Sequence, residues 1–437
     1  LPRGIGDVYK MKYIAIYIRK YEDEIIFLVI IHDGLRREMF KDLYEKAQAN
    51  GIKSYIICFS IREYFWFLTK GFDSKTISLI QYSDSDDIID DLESTIDVAA
   101  GFINIKSASK IYHSTYKSLN KYETESDNIY IFGGNGLHSF DKAILKFKNE
   151  NKHVYSVFTE LSNIDGKLFF DSLGSNASSF FYSLLKNNEI NFKKCNGANI
   201  NEWKNNYCKS KLNNHNVKQA TQKRSLKNFV HRLSGIIEFI TRLPSYQRFK
   251  IDEALYTKKK VMKKLYMDEW NPYKDNIDGI GEFILFPLQV FGDSQIKLHS
   301  KIDNEKALYI ACKEALKLKL PLVVKPHPAE PDASVLKKIL EMKKSNKFFI
   351  STDNTFSLIK KSKKVIVINS TVGLEAIFCN KEVIFLGDSF YKYFVNDDVL
   401  SYYINEWLVD IDIFEPSVIT DTEFRKIINI AKNKHHA

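Results

Sequence analysis

The chain has 437 residues, 44% of them hydrophobic, and a formal net charge of +10, which is enough for two or three domains with proper cores. No apolar run approaches the roughly 18–20 residues of a membrane span, and no basic stretch followed by an apolar core opens the sequence, so neither a spanning segment nor a secretory leader is expected. Five cysteines, Cys58, Cys195, Cys208, Cys312 and Cys379, are scattered and never form a Cys-x-x-Cys pair, which argues against a disulfide framework or a zinc site and for a reducing, cytoplasmic setting.

In chain order, the first half alternates β and α patterns. A strand is expected at 24–32, a helix at 35–49 stopped by Gly51, and a strand at 54–59; this spacing implies a right-handed parallel crossover. A helical stretch after Asp84, a strand at 128–132, a helix at 141–149 and a strand at 153–158 follow. Residues 188–216, rich in Asn and Lys, read as a loop. Helical spacing returns at 225–242, where Leu226, Phe229, Val230, Leu233, Ile236, Ile237 and Ile240 form an amphipathic stripe, and a second basic helix is expected at 252–267. The α/β alternation then resumes, with strands at 283–290, 322–325, 347–350, 364–368 and 382–386 and helices at 304–318, 333–344, 355–361 and 372–378. The pattern predicts two Rossmann-like halves joined by a basic helical middle. Its boundaries are 1–190 for an acceptor-side unit, 191–275 for the middle segment and 276–437 for a nucleotide-binding unit with terminal helices.

The charge is concentrated. Between 193 and 264 stand eighteen Lys or Arg against four acids, Glu202, Glu238, Asp252 and Glu253. Nucleic acid is not an expected partner, because aromatics do not interleave with these basic residues. A solvated linker, or contact with an anionic membrane or glycan, accounts for the segment.

Three strand ends carry the chemistry, because carboxyl ends of parallel strands line the ligand crevice. The first ends in Gln289-Val-Phe-Gly-Asp293-Ser294, where Asp293 is a candidate nucleophile or base, or a helix cap. The second ends in Lys325-Pro-His327-Pro328, with two prolines holding an imidazole beside an ammonium, suited to a nucleotide phosphate. The third ends in Asn369-Ser370-Thr371-Val-Gly373-Leu-Glu375. Its hydroxyls cap a helix and complete an anion site, Gly373 is expected to admit a ligand closely, and Glu375 can bind ribose hydroxyls or a cytosine amine. In the first half, Glu160 ends a strand and opens Glu160-Leu-Ser-Asn163-Ile-Asp-Gly166-Lys167, a second carboxylate expected to face Asp293 across the cleft. Asp171-Ser-Leu-Gly174-Ser-Asn176-Ala-Ser178 reads as a polar cleft-lining loop. Asp84-Ser85-Asp86 mimics a metal motif but reads as surface. Gly133-Gly134-Asn135-Gly136 does not fit a dinucleotide fingerprint and reads as a tight loop near the cleft floor.

Together these blocks resemble the retaining β-Kdo glycosyltransferases of capsule and O-antigen synthesis, related to the capsule polysaccharide biosynthesis proteins. The matching pieces are Pro287 to Ile296, Lys325-Pro-His327-Pro328, Asn369 to Ala376, and Glu160 to Lys167 with Gly174-Ser-Asn176-Ala177, covering roughly 128–180 and 283–391. The resemblance implies a GT-B fold, with two Rossmann-like domains facing across a cleft, CMP-Kdo as donor, and no metal or other cofactor. It implies Asp293 as the nucleophile and Glu160 as the group that assists the acceptor hydroxyl. Lys325, His327, Ser370 and Thr371 would hold the CMP phosphate, Glu375 the ribose, and Ser294, Gln295, Asn163 and Asn176 the sugar. The implied partners are a CMP-sugar donor and a glycan or lipid-linked glycan acceptor; the expected location is cytoplasmic, with peripheral contact at the inner face of the cytoplasmic membrane left to the basic segment 193–264. The His-Pro and Ser-Thr pairs are also similar to those of sialyltransferases that use CMP-activated keto-acid sugars. A CDP-polyol phosphotransferase of teichoic-acid type and a non-catalytic capsule-assembly or export protein are the rival readings.

Overall fold

The structure is a computed structural model that describes residues 25–31, 36–83, 85–101, 103–123, 127–190, 200–213, 270–328, 330, 333–414 and 418–433. Its first sheet contains β1 (Ile25–Ile31), β2 (Lys53–Cys58), β3 (Ile77–Leu79), β4 (Asn128–Phe132), β5 (Val154–Leu161) and β6 (Leu168–Asp171), in the order β3-β2-β1-β4-β5-β6. All neighbours are parallel except β5 and β6, which pair antiparallel. β1 shows why such a strand must be apolar throughout. Phe27 and Val29 enter one core, Leu28 and Ile30 the other, and all four are fully buried, because crossover helices cover both faces of a parallel sheet.

The second sheet contains β7 (Phe283–Pro287), β8 (Leu322–Lys325), β9 (Phe349–Ile350), β10 (Ser362–Val367) and β11 (Glu382–Phe385), all parallel, in the order β11-β10-β7-β8-β9. Along β7, Ile284 and Phe286 face one core while Phe283 and Leu285 face the other. Each sheet is therefore doubly wound, and together they form the α/β, GT-B architecture expected from the sequence. The two units meet at their carboxyl edges through an aromatic core. Phe169 and Phe181 of the first unit pack against Phe390, Tyr403 and Trp407, with Phe181 and Trp407 centroids 4.4 Å apart.

Three expectations need correction. Residues 188–216 are not all loop, since Ile200–Asn213 is a helix. Its Asn-rich composition opposes helix formation, but Trp203 and Tyr207, one turn apart, both pack on Phe378 at 4.9 and 4.8 Å. That helix carries Cys208, disulfide-bonded to Cys379; a pair 171 residues apart leaves no spacing signal, and cysteine usage no longer argues for a reducing compartment. Finally, the terminal helix Asp421–Ala431 belongs to the first unit rather than to 276–437. Val409 bridges Leu168, and Ile419, Phe424, Ile427 and Ile430 enter the core containing Phe27 and Phe132. The chain thus crosses back to cover the face of the first sheet left open between β4 and β6.

The expected helices at 225–242 and 252–267, and all of the basic stretch 193–264 except residues 200–213, lie outside the described residues, as does Asp84. Among the described residues, no helix is long and apolar enough to cross a membrane.

Candidate functional site

In the second sheet the strand order reverses between β7 and β10, the switch point where doubly wound sheets bind ligands. A buried amide network closes its floor. Gln289 donates from Nε2 to Asn369 Oδ1 at 3.0 Å and accepts from the Asn369 N–H at 3.0 Å. Asn304 accepts from the Gln289 N–H and donates to its carbonyl. Asn369 also donates to the Gln295 carbonyl at 2.7 Å, so the ends of β7 and β10 and the helix Ser294–His299 are held as one piece. Sequence reading assigned Gln289, Asn304 and Asn369 no role, although an amide ending a buried strand is a usable signal of such a network.

Asp293 is the N-cap of the helix Ser294–His299, accepting from the Gln295 N–H at 2.9 Å. The capping role weighed from sequence is therefore filled, and it also fixes the carboxylate's orientation at the crevice. Ser294 and Gln295 open that helix. The neighbouring strand brings the His-Pro loop alongside, because Glu330 follows it and accepts from the Phe291 N–H at 2.7 Å. Lys325 is only 7% exposed, and its ammonium makes no hydrogen bond to a described residue. Burial lowers its pKa, against the attraction of Asp353. Burial, reinforced by Lys325, lowers His327 to about 4. The pair thus combines a largely buried lysine with an imidazole that is neutral near pH 7.

Beyond β10, Ser370 caps the helix Thr371–Phe378 and accepts from the Val372 N–H at 3.2 Å, with Thr371 as the first helical residue. Gly373 does not make room for a ligand, which corrects the expectation from sequence. A Cβ there would lie 2.7 Å from the Phe385 ring and 2.8 Å from Val367, so the glycine lets this helix sit close on β10 and β11. Gly373→Ala should therefore cost about 1–3 kcal/mol by overpacking, read as a lower denaturant midpoint.

Glu375, one turn further, has its pKa raised to about 7 by burial, partly offset by Lys211. It joins a cluster that crosses between the units around the buried Tyr391. The Tyr391 hydroxyl engages the Asn163 side chain and feels the charges of Glu160 and Glu375. Tyr207 adds its hydroxyl, donating to the Asn163 carbonyl at 3.3 Å. Asn163 has a positive φ of 61°, the conformation that turns the chain from β5 back into β6. Three residues singled out separately from sequence, Glu160, Asn163 and Glu375, thus meet around a tyrosine that sequence reading overlooked.

Glu160 itself lies inside β5, not after its end, because the strand continues to Leu161 and pairs with β6. It accepts from Asn135 Nδ2 at 3.0 Å and lies 3.6 Å from Arg36 Nη2, with its side chain 32% exposed. Arg36 follows β1 and Asn135 follows β4, so these partners mark the switch point of the first sheet. Neither was assigned a role from sequence. The loop Gly133-Gly134-Asn135-Gly136 is tight, as expected: Gly136 has φ +83°, and a Cβ on it would lie 2.4 Å from the Gly174 Cα.

Sequence reading also missed His138 and Asp97. His138 Nδ1 is 2.8 Å from Asp97 Oδ1, and the Ser139 N–H and hydroxyl donate to Asp97 Oδ2. Burial opposes ionisation, but His138 and these hydrogen bonds hold the Asp97 carboxyl well below the usual carboxylate range.

Across the cleft, Asn176 donates to Gln295 Oε1 at 2.7 Å, and the Tyr182 hydroxyl donates to Asp388 at 3.1 Å. Asn176 Oδ1 and Ser175 Oγ are buried without hydrogen-bond partners among the described residues. Asp293 caps the helix that follows β7, and Glu160 lies within β5 of the first unit. Among the described residues, no group of three or more His, Cys, Asp or Glu side chains is placed to hold a metal ion.

Comparison with solved structures finds similarity to a KpsC beta Kdo 2,7 transferase from Thermosulfurimonas dismutans, 15% identical, covering 72% of this chain and 89% of that one with a TM-score of 0.38. A beta Kdo 2,4 transferase KpsC from the same organism is 16% identical, covering 60% and 70% with a TM-score of 0.34. A UDP-GlcNAc 2-epimerase from Methanocaldococcus jannaschii is 11% identical, covering 94% and 99% with a TM-score of 0.31. No curated protein matches the sequence. Residues 204–395, which hold Asp293, the His-Pro loop and the Ser370-Thr371 helix start, match the family described as capsule polysaccharide biosynthesis protein.

Proposed function

We propose that the chain is a glycosyltransferase of bacterial surface polysaccharide synthesis. In this reading it moves Kdo from CMP-Kdo to a glycan or lipid-linked glycan acceptor and gives a β-linked product with retention. The observation that carries the reading is the buried Lys325 and His327 pair after β8, with the Ser370-Thr371 helix start after β10. β8 and β10 flank β7, whose following loop carries Asp293, and this strand order supports a reading in which an anion site and a carboxylate serve one crevice. The family match over the same residues supports it.

The donor's phosphate enters between Lys325, His327 and the N–H groups of the helix Thr371–Phe378, and Glu375 takes the ribose hydroxyls. Asp293 attacks the anomeric carbon. The bond to the phosphate oxygen breaks with its electron pair, CMP leaves, and a glycosyl ester forms on Asp293. Glu160, fixed by Asn135 and Arg36, then takes the acceptor hydroxyl proton as that oxygen displaces Asp293. Two inversions give net retention. Ser294, Gln295, Asn163 and Asn176 contact the sugar at the junction, and this route requires no metal.

Incubating the purified chain with CMP-Kdo and EDTA, without acceptor, tests the reading. The expected result is slow CMP release and one added Kdo on the peptide containing Asp293. CMP-Kdo left intact alongside turnover of a CDP-polyol would support the phosphotransferase instead, and inertness toward both would leave a glycan-binding scaffold.

A further inference from the structure

The helix Asn304–Leu318 carries an outer face that the cleft chemistry does not use. Its inner side, including Ala307, Leu308, Ala311 and Ala315, is buried against the second sheet. Outward, Tyr309, Ile310 and Leu316 are 50%, 38% and 78% exposed. Lys306, Lys313 and Lys317 are interleaved with them and are exposed too. The spacing of these six residues places them on one stripe of the helix. The acids on its flanks are engaged: Glu305 with Lys338 at 2.8 Å, and Glu314 with Lys364 at 3.2 Å and Lys317 at 4.0 Å. Lys313 lies 4.5 Å over the Tyr309 ring, so its stem runs along apolar surface while its charge faces out.

Single exposed apolar residues need no explanation, but a stripe of them edged by one sign of charge does. We propose that this face rests on an anionic phospholipid surface. Tyr309, Ile310 and Leu316 enter the boundary between headgroups and acyl chains, and the three lysines bind headgroup phosphates. Charge favours lipid over a second copy of the chain, because an isologous contact through this face would set three lysines against three lysines. The inference is independent of the glycosyltransferase reading.

The test is co-sedimentation of the full chain with phosphatidylglycerol-containing vesicles and with pure phosphatidylcholine vesicles. Wild type should partition to the anionic vesicles and lose binding as salt rises. The triple variant Lys306→Glu, Lys313→Glu, Lys317→Glu should bind about ten-fold less or weaker still. Tyr309→Ser with Leu316→Ser keeps every charge and should also lose most binding, which separates this face from the basic stretch 193–264 that neither variant touches. All five positions are exposed, and thermal melts matching wild type confirm folding. Wild-type binding by both variants, or equal partition of wild type to neutral and anionic vesicles, overturns the proposal. So does a wild-type dimer in sedimentation velocity that the Tyr309, Leu316 variant dissolves.

Discussion

Asp293→Asn should abolish transfer while leaving the fold and CMP binding intact. The substitution keeps the side chain's volume, and the amide oxygen can still accept from the Gln295 N–H, so the cap on the helix Ser294–His299 survives. What disappears is the negative charge that attacks the anomeric carbon. Loss of a residue acting as nucleophile typically costs several decades, so turnover should fall by about 10³-fold or more, with CMP affinity within about two-fold of wild type. Mass spectrometry should no longer find a glycosylated peptide. Glu160→Gln gives the diagnostic contrast. A positioned base contributes about 10²–10⁴-fold, but the first displacement does not need Glu160, so the Kdo adduct on Asp293 should still form and should accumulate when acceptor is present. Near-normal transfer by Asp293→Asn, or an α-linked product, would refute the two-step assignment.

Much of the fold was legible because buried parallel strands write themselves as unbroken apolar runs. The strands Asn128–Phe132 and Leu322–Lys325 fall where the sequence puts them, and so do the helices Asn304–Leu318 and Thr355–Lys361, marked by helical spacing. β3 and β6 were not legible, since β3 has only three residues and β6 is an antiparallel return from β5 with no crossover helix before it to mark it. Tertiary contact decided the rest. Packing on Phe378 and the bond to Cys379 hold the Asn-rich stretch 200–213 as a helix, and the first core draws the terminal helix back across the molecule. The site divides in the same way. Residues next to strand ends, Asp293, Lys325, His327 and Ser370, could be read locally. Arg36, Asn135 and Tyr391 could not, because each acts through a partner more than 20 residues away in sequence. Gly373 shows the opposite error. A glycine inside an expected anion site invited a ligand, yet its missing Cβ is explained by the ring of Phe385.

Lys325→Met should make the unliganded protein more stable and a poorer binder of CMP. Lys325 is buried and without a hydrogen-bond partner among the described residues, and its pKa is lowered by that burial. A lysine whose pKa is lower folded than unfolded takes up protons on unfolding. Its charge therefore opposes folding fully below the folded pKa, and stability rises as pH climbs from there toward the unfolded value. Methionine fills similar space without the charge, so the denaturant midpoint at pH 7 should rise, and the wild-type gain in stability toward alkaline pH should flatten. Binding moves the other way. A charge-assisted hydrogen bond to phosphate is worth about 1.5–3 kcal/mol, so CMP affinity should drop about 10- to 150-fold. His327 supplies an independent readout. Its pKa of about 4 in the free protein reflects burial and the repulsion of Lys325, and a bound phosphate raises it. Wild type should therefore take up protons when CMP binds at pH 6, seen as a dependence of calorimetric heat on buffer ionisation enthalpy. His327→Gln should lose the imidazole's share of that uptake, leaving only what the phosphate itself contributes. Lys325→Met should keep it, shifted to higher pH because the repelling ammonium is gone. A Lys325→Met protein that is less stable and binds CMP as tightly as wild type would mean that this lysine is structural and that the phosphate sits elsewhere.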